Sequence, residues 1–186
     1  YVKAAFEYAY DELKKQNVQN KVTLFYNDYD TYFSVDDELA LISYINEGEE
    51  AKICGGIGMQ SHVDIKRPTL EEYGNALKAF INAGLEVQIT ELDITINFDT
   101  DDTDGRTPTY AYKNEKETDA DQAAFTKDFI KQIVDIQKNR DKTISPKGIT
   151  GITVWGISDQ TSWRGSCKPL FFTRKSVRVK DETTGK

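Results

Sequence analysis

The chain has 186 residues, 38% of them hydrophobic and 30% charged, and its 24 Lys and Arg against 31 Asp and Glu leave a formal net charge of −7. That length suits one domain whose core buries roughly 70% of the unfolded chain's surface. A mean hydropathy of −0.60 with no long apolar run excludes a membrane-spanning helix, and a pI of about 4.9 argues against a phosphate-backbone partner.

Residues 1–16 place Val2, Ala5, Phe6, Ala9 and Leu13 at helical spacing, with Lys14 and Lys15 in the last turn, where the helix dipole favours them. Residues 21–27 are a short apolar run that reads as a buried strand. The stretch 35–46 is helical, with Leu39, Ile42 and Ile45 on one face and Gly48 just beyond it. Residues 53–60 form a second strand, rich in glycine. Thr69 caps a helix from Leu70, and Glu72 completes a capping-box pattern. Residues 86–94 are the third strand, 97–118 a polar loop, 119–140 the longest helix and 148–156 the fourth strand.

Strands alternating with helices at intervals of roughly 33 residues give a parallel βα pattern. Either a doubly wound sheet or part of a (β/α)8 barrel fits. Gly55, Gly56 and Gly58 lie inside a strand rather than opening a helix, so a nucleotide site is poorly supported. A barrel takes about 250 residues and eight strands; this chain supplies four. It opens on Tyr1 inside a helix, which reads as a processed or truncated product, and residues 1–20 lack the apolar core of a signal peptide. Cys54 and Cys167 are too far apart for a zinc knuckle and too few for a disulfide scaffold.

Parallel α/β domains carry their chemistry at the C-terminal ends of strands. Here those ends read Tyr26-Asn27-Asp28, Gln60-Ser61-His62, Glu91-Leu92-Asp93 and Trp155-Gly156, with Asp159 and Trp163 following. Glu91 and Asp93, two apart on a strand, share a face, while Thr90, Leu92 and Ile94 take the other. His62, the only histidine, ends the neighbouring strand and can bond either carboxylate. Trp155 and Trp163 at the last strand end, with Tyr26 and Tyr29 at the first, offer ring faces of the kind that stack on sugars. No metal site is expected: His62 has no second histidine, and the acidic stretch 99–104 lacks EF-hand spacing. No cofactor is expected either.

With these strand ends in place, the sequence resembles the glycoside hydrolase family 10 endo-β-1,4-xylanases. Residues 84–94 (GLEVQITELDI) look like the signature around that family's nucleophile at the end of the seventh barrel strand. Residues 24–30, 55–62 and 153–164 resemble the fifth, sixth and eighth strands, and the opening helix looks like the fourth barrel helix. The resemblance implies an α/β (β/α)8 TIM barrel of which this chain holds about the last four βα units. Residues 1–172 would be the C-terminal half of the catalytic domain and 173–186 an atypical basic tail, read as a solvated or frayed terminus.

It also implies roles. Glu91 would be the nucleophile of a retaining endo-xylanase, hydrogen-bonded by His62, which Asp93 would hold in turn. Tyr26, Asn27, Gln60, Trp155 and Trp163 would bind substrate. The general acid/base of the family is the Glu of an Asn-Glu pair closing the fourth strand, upstream of residue 1; Asn46-Glu47 and Asn114-Glu115 are not at strand ends and are set aside. The implied partners are xylan or its oligosaccharides and either the N-terminal half of the barrel or a second copy, with no nucleic acid and no membrane. The implied location is extracellular. Leu24, Ile57, Ile89 and Val154 are expected on the inward face that the other half would cover. A catalytically dead xylan-binding module and a related retaining β-glucanase are the alternatives.

Overall fold

The computed structural model describes residues 1–96, 115–164 and 167–172, with the side chains of 115–118 left aside. The polar loop expected over 97–118 lies outside the described residues as far as 114, with its acidic stretch and Asn114, as does the tail 173–186; the last four residues of that loop are helical instead.

Helices and strands alternate: α1 (Val2–Lys15), β1 (Phe25–Asp28), α2 (Val35–Asn46), β2 (Gly56–Met59), β3 (His62–Asp64), α3 (Leu70–Asn82), β4 (Glu86–Thr95), α4 (Glu115–Asn139) and β5 (Ile149–Val154), followed by a 3-10 turn at Asp159–Thr161. All strand pairs are parallel. They run in the order β1, β2, β4, β5, while β3 continues the line of β2 along the far half of β4. This is the parallel sheet expected from the pattern, with the second strand divided.

The division falls at Gln60-Ser61. Ser61 has a φ of +63°, a left-handed conformation that costs a non-glycine residue energy and persists where its surroundings enforce it. Its buried hydroxyl meets the Tyr73 hydroxyl of α3 at 2.7 Å and donates to the Met59 carbonyl at 3.1 Å. The capping box is present as expected: Thr69 Oγ1 accepts from the Glu72 amide, and the Glu72 carboxylate accepts from the Thr69 amide at 2.8 Å. Asn46, at the end of α2, bonds the Cys54 amide and carbonyl, which fastens the entry to β2 and gives Asn46-Glu47 a structural role.

The apolar core lies between the sheet and the helices. Ile57, Met59, Val87, Ile89 and Leu92 from the strands meet Ile45, Tyr73, Leu77, Phe80 and Phe129 from the helices, all fully buried. Tyr73 and Phe129 pack with ring centres 4.5 Å apart, joining α3 to α4. The expectation for the inward face is corrected here. Ile57 and Ile89 belong to the helix side of the sheet, and Leu24 and Val154 are half-buried. Parallel register puts Phe25, Gly56 and Glu86 in one row of the other face and Asn27, Gly58 and Gln88 in the next. That face is largely polar.

Candidate active site

Asn27, His62, Glu91 and Asp93 come together at the end of β1, the start of β3 and the C-terminal half of β4. One irregularity makes the arrangement closer than simple alternation allows. From Ile89 to Leu92, β4 takes three steps where β5 takes two from Ile152 to Val154. Against β2 and β3 it takes four from Ile89 to Asp93 where they take three from Met59 to His62. Such an extra residue is a β-bulge, which re-aims side chains. Thr90 and Glu91 therefore both reach Asn27: Thr90 Oγ1 donates to Asn27 Oδ1 at 2.6 Å, and Asn27 Nδ2 donates to Glu91 Oε1 at 3.2 Å. Thr90 was expected on the face opposite Glu91; two residues on from Gln88 it belongs to the polar face, and the bulge brings Glu91 and Asp93 round to join it.

The other Glu91 oxygen, Oε2, lies 3.3 Å from His62 Nε2, and His62 Nδ1 lies 3.0 Å from Asp93 Oδ2. The imidazole thus sits between two carboxylates, as expected. Asp93 is fully buried, His62 and Glu91 nearly so, with side-chain exposures of 0, 11 and 16%. An ionised Asp93 can only accept, so the hydrogen on Nδ1 belongs to His62 and the ring is fixed in orientation. Asp93 Oδ2 also accepts from the indole N–H of Trp163 at 2.8 Å, while Oδ1 is 3.9 Å from Arg164 Nη1. Burial lowers the Arg164 guanidinium from its ordinary value, opposed by Asp93, Tyr32 and Asp30; it remains a cation.

Trp155 and Trp163 approach the His62 ring edge-on, with centres 6.2 and 5.0 Å away, and stay 47 and 53% exposed. Two half-exposed indoles beside a carboxylate are surfaces on which the C–H faces of a sugar can lie. Gln60 joins the site through its backbone: its amide donates to Asp28 and its carbonyl accepts from Glu91, both at 3.0 Å. Tyr26 is carried elsewhere. Adjacent on β1 to Asn27, it takes the opposite face, packs against the core and donates its hydroxyl to Asp28 at 2.7 Å. That bond, then burial, pushes the Tyr26 hydroxyl up in pKa. A groove of about 810 Å³ beside α2, lined by Leu39, Tyr44, Lys52 and Leu85, contains none of these groups.

Sequence reasoning missed two contributors. Thr90 depends on a bulge visible only across strands. Arg164 was part of the last motif, and a basic residue directly after an aromatic one at a strand-end loop was the available signal.

A model of glycosyl hydrolase family 10 matches residues 1–181. An endo-1,4-beta-xylanase A of Butyrivibrio fibrisolvens is 41% identical over 95% of this chain and 36% of its own length. An endo-1,4-beta-xylanase A of Xylanibacter ruminicola is 31% identical over 88% of this chain and 43% of its own. Among solved structures, an endo-1,4-beta-xylanase from Caldicellulosiruptor owensensis superposes with a TM-score of 0.67 at 28% identity, covering 92% of this chain and 49% of that one. A mutant structure in complex with xylotriose gives 0.65 at 26% identity, over 92 and 49% of the two chains. The chain thus spans less than half the length of these relatives.

Proposed function

The chain belongs to glycosyl hydrolase family 10, a family of (β/α)8 barrel glycosidases, and on that premise we propose that residues 1–172 are the C-terminal, nucleophile-bearing half of a retaining endo-1,4-β-xylanase, with 173–186 a basic tail. The observation that carries this reading is the Glu91 carboxylate itself. It stands in the C-terminal half of β4 with one oxygen on Asn27 and the other on His62. Two directed partners hold a carboxylate in one rotamer, which a group that must attack a single carbon requires.

In a retaining glycosidase one carboxylate attacks the anomeric carbon while a carboxylic acid about 5–5.5 Å away protonates the departing oxygen. Glu91 forms the bond to the sugar and the glycosidic C–O bond breaks; water then cleaves the glycosyl ester, and the second carboxyl takes the water proton. The second carboxyl is supplied by strands that the family's barrels have and these residues do not include. His62 and Asn27 steady Glu91, and Trp155 and Trp163 flank the sugar. Xylo-oligosaccharide as substrate class is supported by the xylanase names of the relatives and by the neighbour bound to xylotriose. An extracellular location is in keeping with the family resemblance.

The test is a 2-fluoro-xylobioside carrying a good leaving group, which needs a nucleophile but little acid assistance. Intact-mass and peptide analysis should find one fluoroxylobiosyl group on Glu91, absent in Glu91→Gln. Labelling at another residue, or binding of the reagent with no covalent adduct, would replace this reading with a xylan-binding module or a different nucleophile.

A further inference from the structure

We infer that Arg164 is a positioning residue of this site: its buried charge balances Asp93 and so decides how tightly His62 holds the proton that faces Glu91. Its catalytic meaning rests on Glu91 as the nucleophile; its electrostatics rest on geometry alone. Asp93 Oδ2 takes both strong donors, His62 Nδ1–H and the Trp163 indole N–H, while Oδ1 faces Arg164 Nη1 at 3.9 Å. The guanidinium lies over the Trp163 ring, 4.2 Å from its centre, so one indole bonds Asp93 at its edge and holds the cation at its face. The side chains of Asp93 and Arg164 are 0 and 13% exposed, and little water screens them.

The charge pattern around the ring gives this cation its effect. His62 faces Glu91 and Asp93 from β4. Arg164 faces Asp93, with Asp30, Tyr32 and Cys167 also near it; the Tyr32 hydroxyl donates to Asp30 at 2.8 Å and to the His62 carbonyl at 3.4 Å. Glu91 and Asp93 place a negative field on the ring when ionised, and a fixed cation on the far side of Asp93 offsets part of it.

The test uses the full chain, whose only histidine is His62, so ¹⁵N NMR of the imidazole across pH reads one ring. Replacing the cation, Arg164→Met, should make His62 hold its second proton about tenfold more tightly, a shift of about one pH unit. Arg164→Lys should keep the parent's proton affinity to within about threefold, because the charge is retained. Trp163→Phe, which removes a bond to Asp93 but no charge, should move it less than Arg164→Met. An unchanged His62 in folded Arg164→Met overturns the inference, as does a lysine variant that behaves like methionine. Should Arg164→Met fail to fold, Arg164→Gln keeps an amide in the same space and carries the same two outcomes. The NMR readout needs neither turnover nor labelling, so it can fail while the nucleophile assignment stands, and the reverse.

Discussion

Asn27 is the residue on which the reactive geometry turns. It donates to Glu91 and accepts from Thr90, and it fits only because Gly58, its neighbour on β2, has no side chain. A Cβ at Gly58 would lie 2.4 Å from Asn27 Oδ1 and 3.0 Å from Thr90 Cγ2. Gly58→Ala should therefore push the amide off Glu91 and slow covalent labelling of Glu91 by the fluoro-xylobioside up to about 100-fold, the scale at which an ångström of misplacement is felt. Because the effect runs through one side chain, adding Gly58→Ala to Asn27→Ala should cost nothing further. Rate constants that multiply in the double variant would show that Gly58 acts by another route. The pair Glu91–Asp93 and its histidine were legible because a period of two is a local rule. Thr90 and Arg164 were not, since a bulge is defined by the strand alongside and an ion pair by a loop folding back. Tyr26 shows the same rule broken in the other direction: assigning it and Asn27 to one site ignores that neighbours on a strand face opposite sides.

β4 works at both of its ends. Its C-terminal end presents the carboxylates, and its first residue, Glu86, ties three segments together, accepting from Thr23 at 2.9 Å, Lys147 at 2.7 Å and Thr150 at 2.8 Å. Burial pushes the Glu86 carboxyl up, but the bonds from Lys147, Thr150 and Thr23 outweigh it and leave the group below its ordinary value. A carboxyl that is a stronger acid folded than unfolded adds stability above the ordinary carboxylate range, and that stability goes as pH falls toward the lowered value. Glu86→Gln should thus cost about 1 kcal/mol near neutral pH, a modest figure because Lys147 is largely exposed. Denaturant melts of parent and variant should converge as the pH drops through the carboxylate range; a gap that persists in acid would mean that Glu86 acts by packing. At this scale the helices were the most readable elements, since a capping box such as Thr69–Glu72 is complete within four residues. The break between β2 and β3 was not. It depends on Ser61 reaching Tyr73 across the core, and nothing in the local run of residues announces it.

Taken whole, the sheet has one apolar face and one polar one, and the difference determines what can complete it. The helix side holds Ile57, Met59, Val87 and Ile89 out of water without help from any further strand. The other side carries Asn27, Glu86, Gln88 and Thr90, so a half barrel of this composition offers its complement hydrogen-bonding groups rather than an apolar slab. Apolar runs in parallel strands read alike from either face, which is why Ile57 and Ile89 were assigned inward from sequence. What remains to be joined is backbone: among the described residues β1 and β5 each pair on one side alone, and unpaired strand edges are what parallel strands add to. The preceding strands of a family 10 barrel would satisfy both edges at once, and would bring the carboxylic acid that Glu91 lacks. Co-expressed with a polypeptide carrying those strands, the chain should form a one-to-one complex. That complex should hydrolyse xylo-oligosaccharides at least about 1,000-fold faster than the chain by itself, since protonation of the leaving oxygen is worth about that much. Replacing the carboxyl-bearing residue of the added half should abolish the gain on an unactivated substrate and spare labelling of Glu91 by the fluoro-xylobioside. Equal hydrolysis with and without the added strands would mean that an acid already lies within these 186 residues.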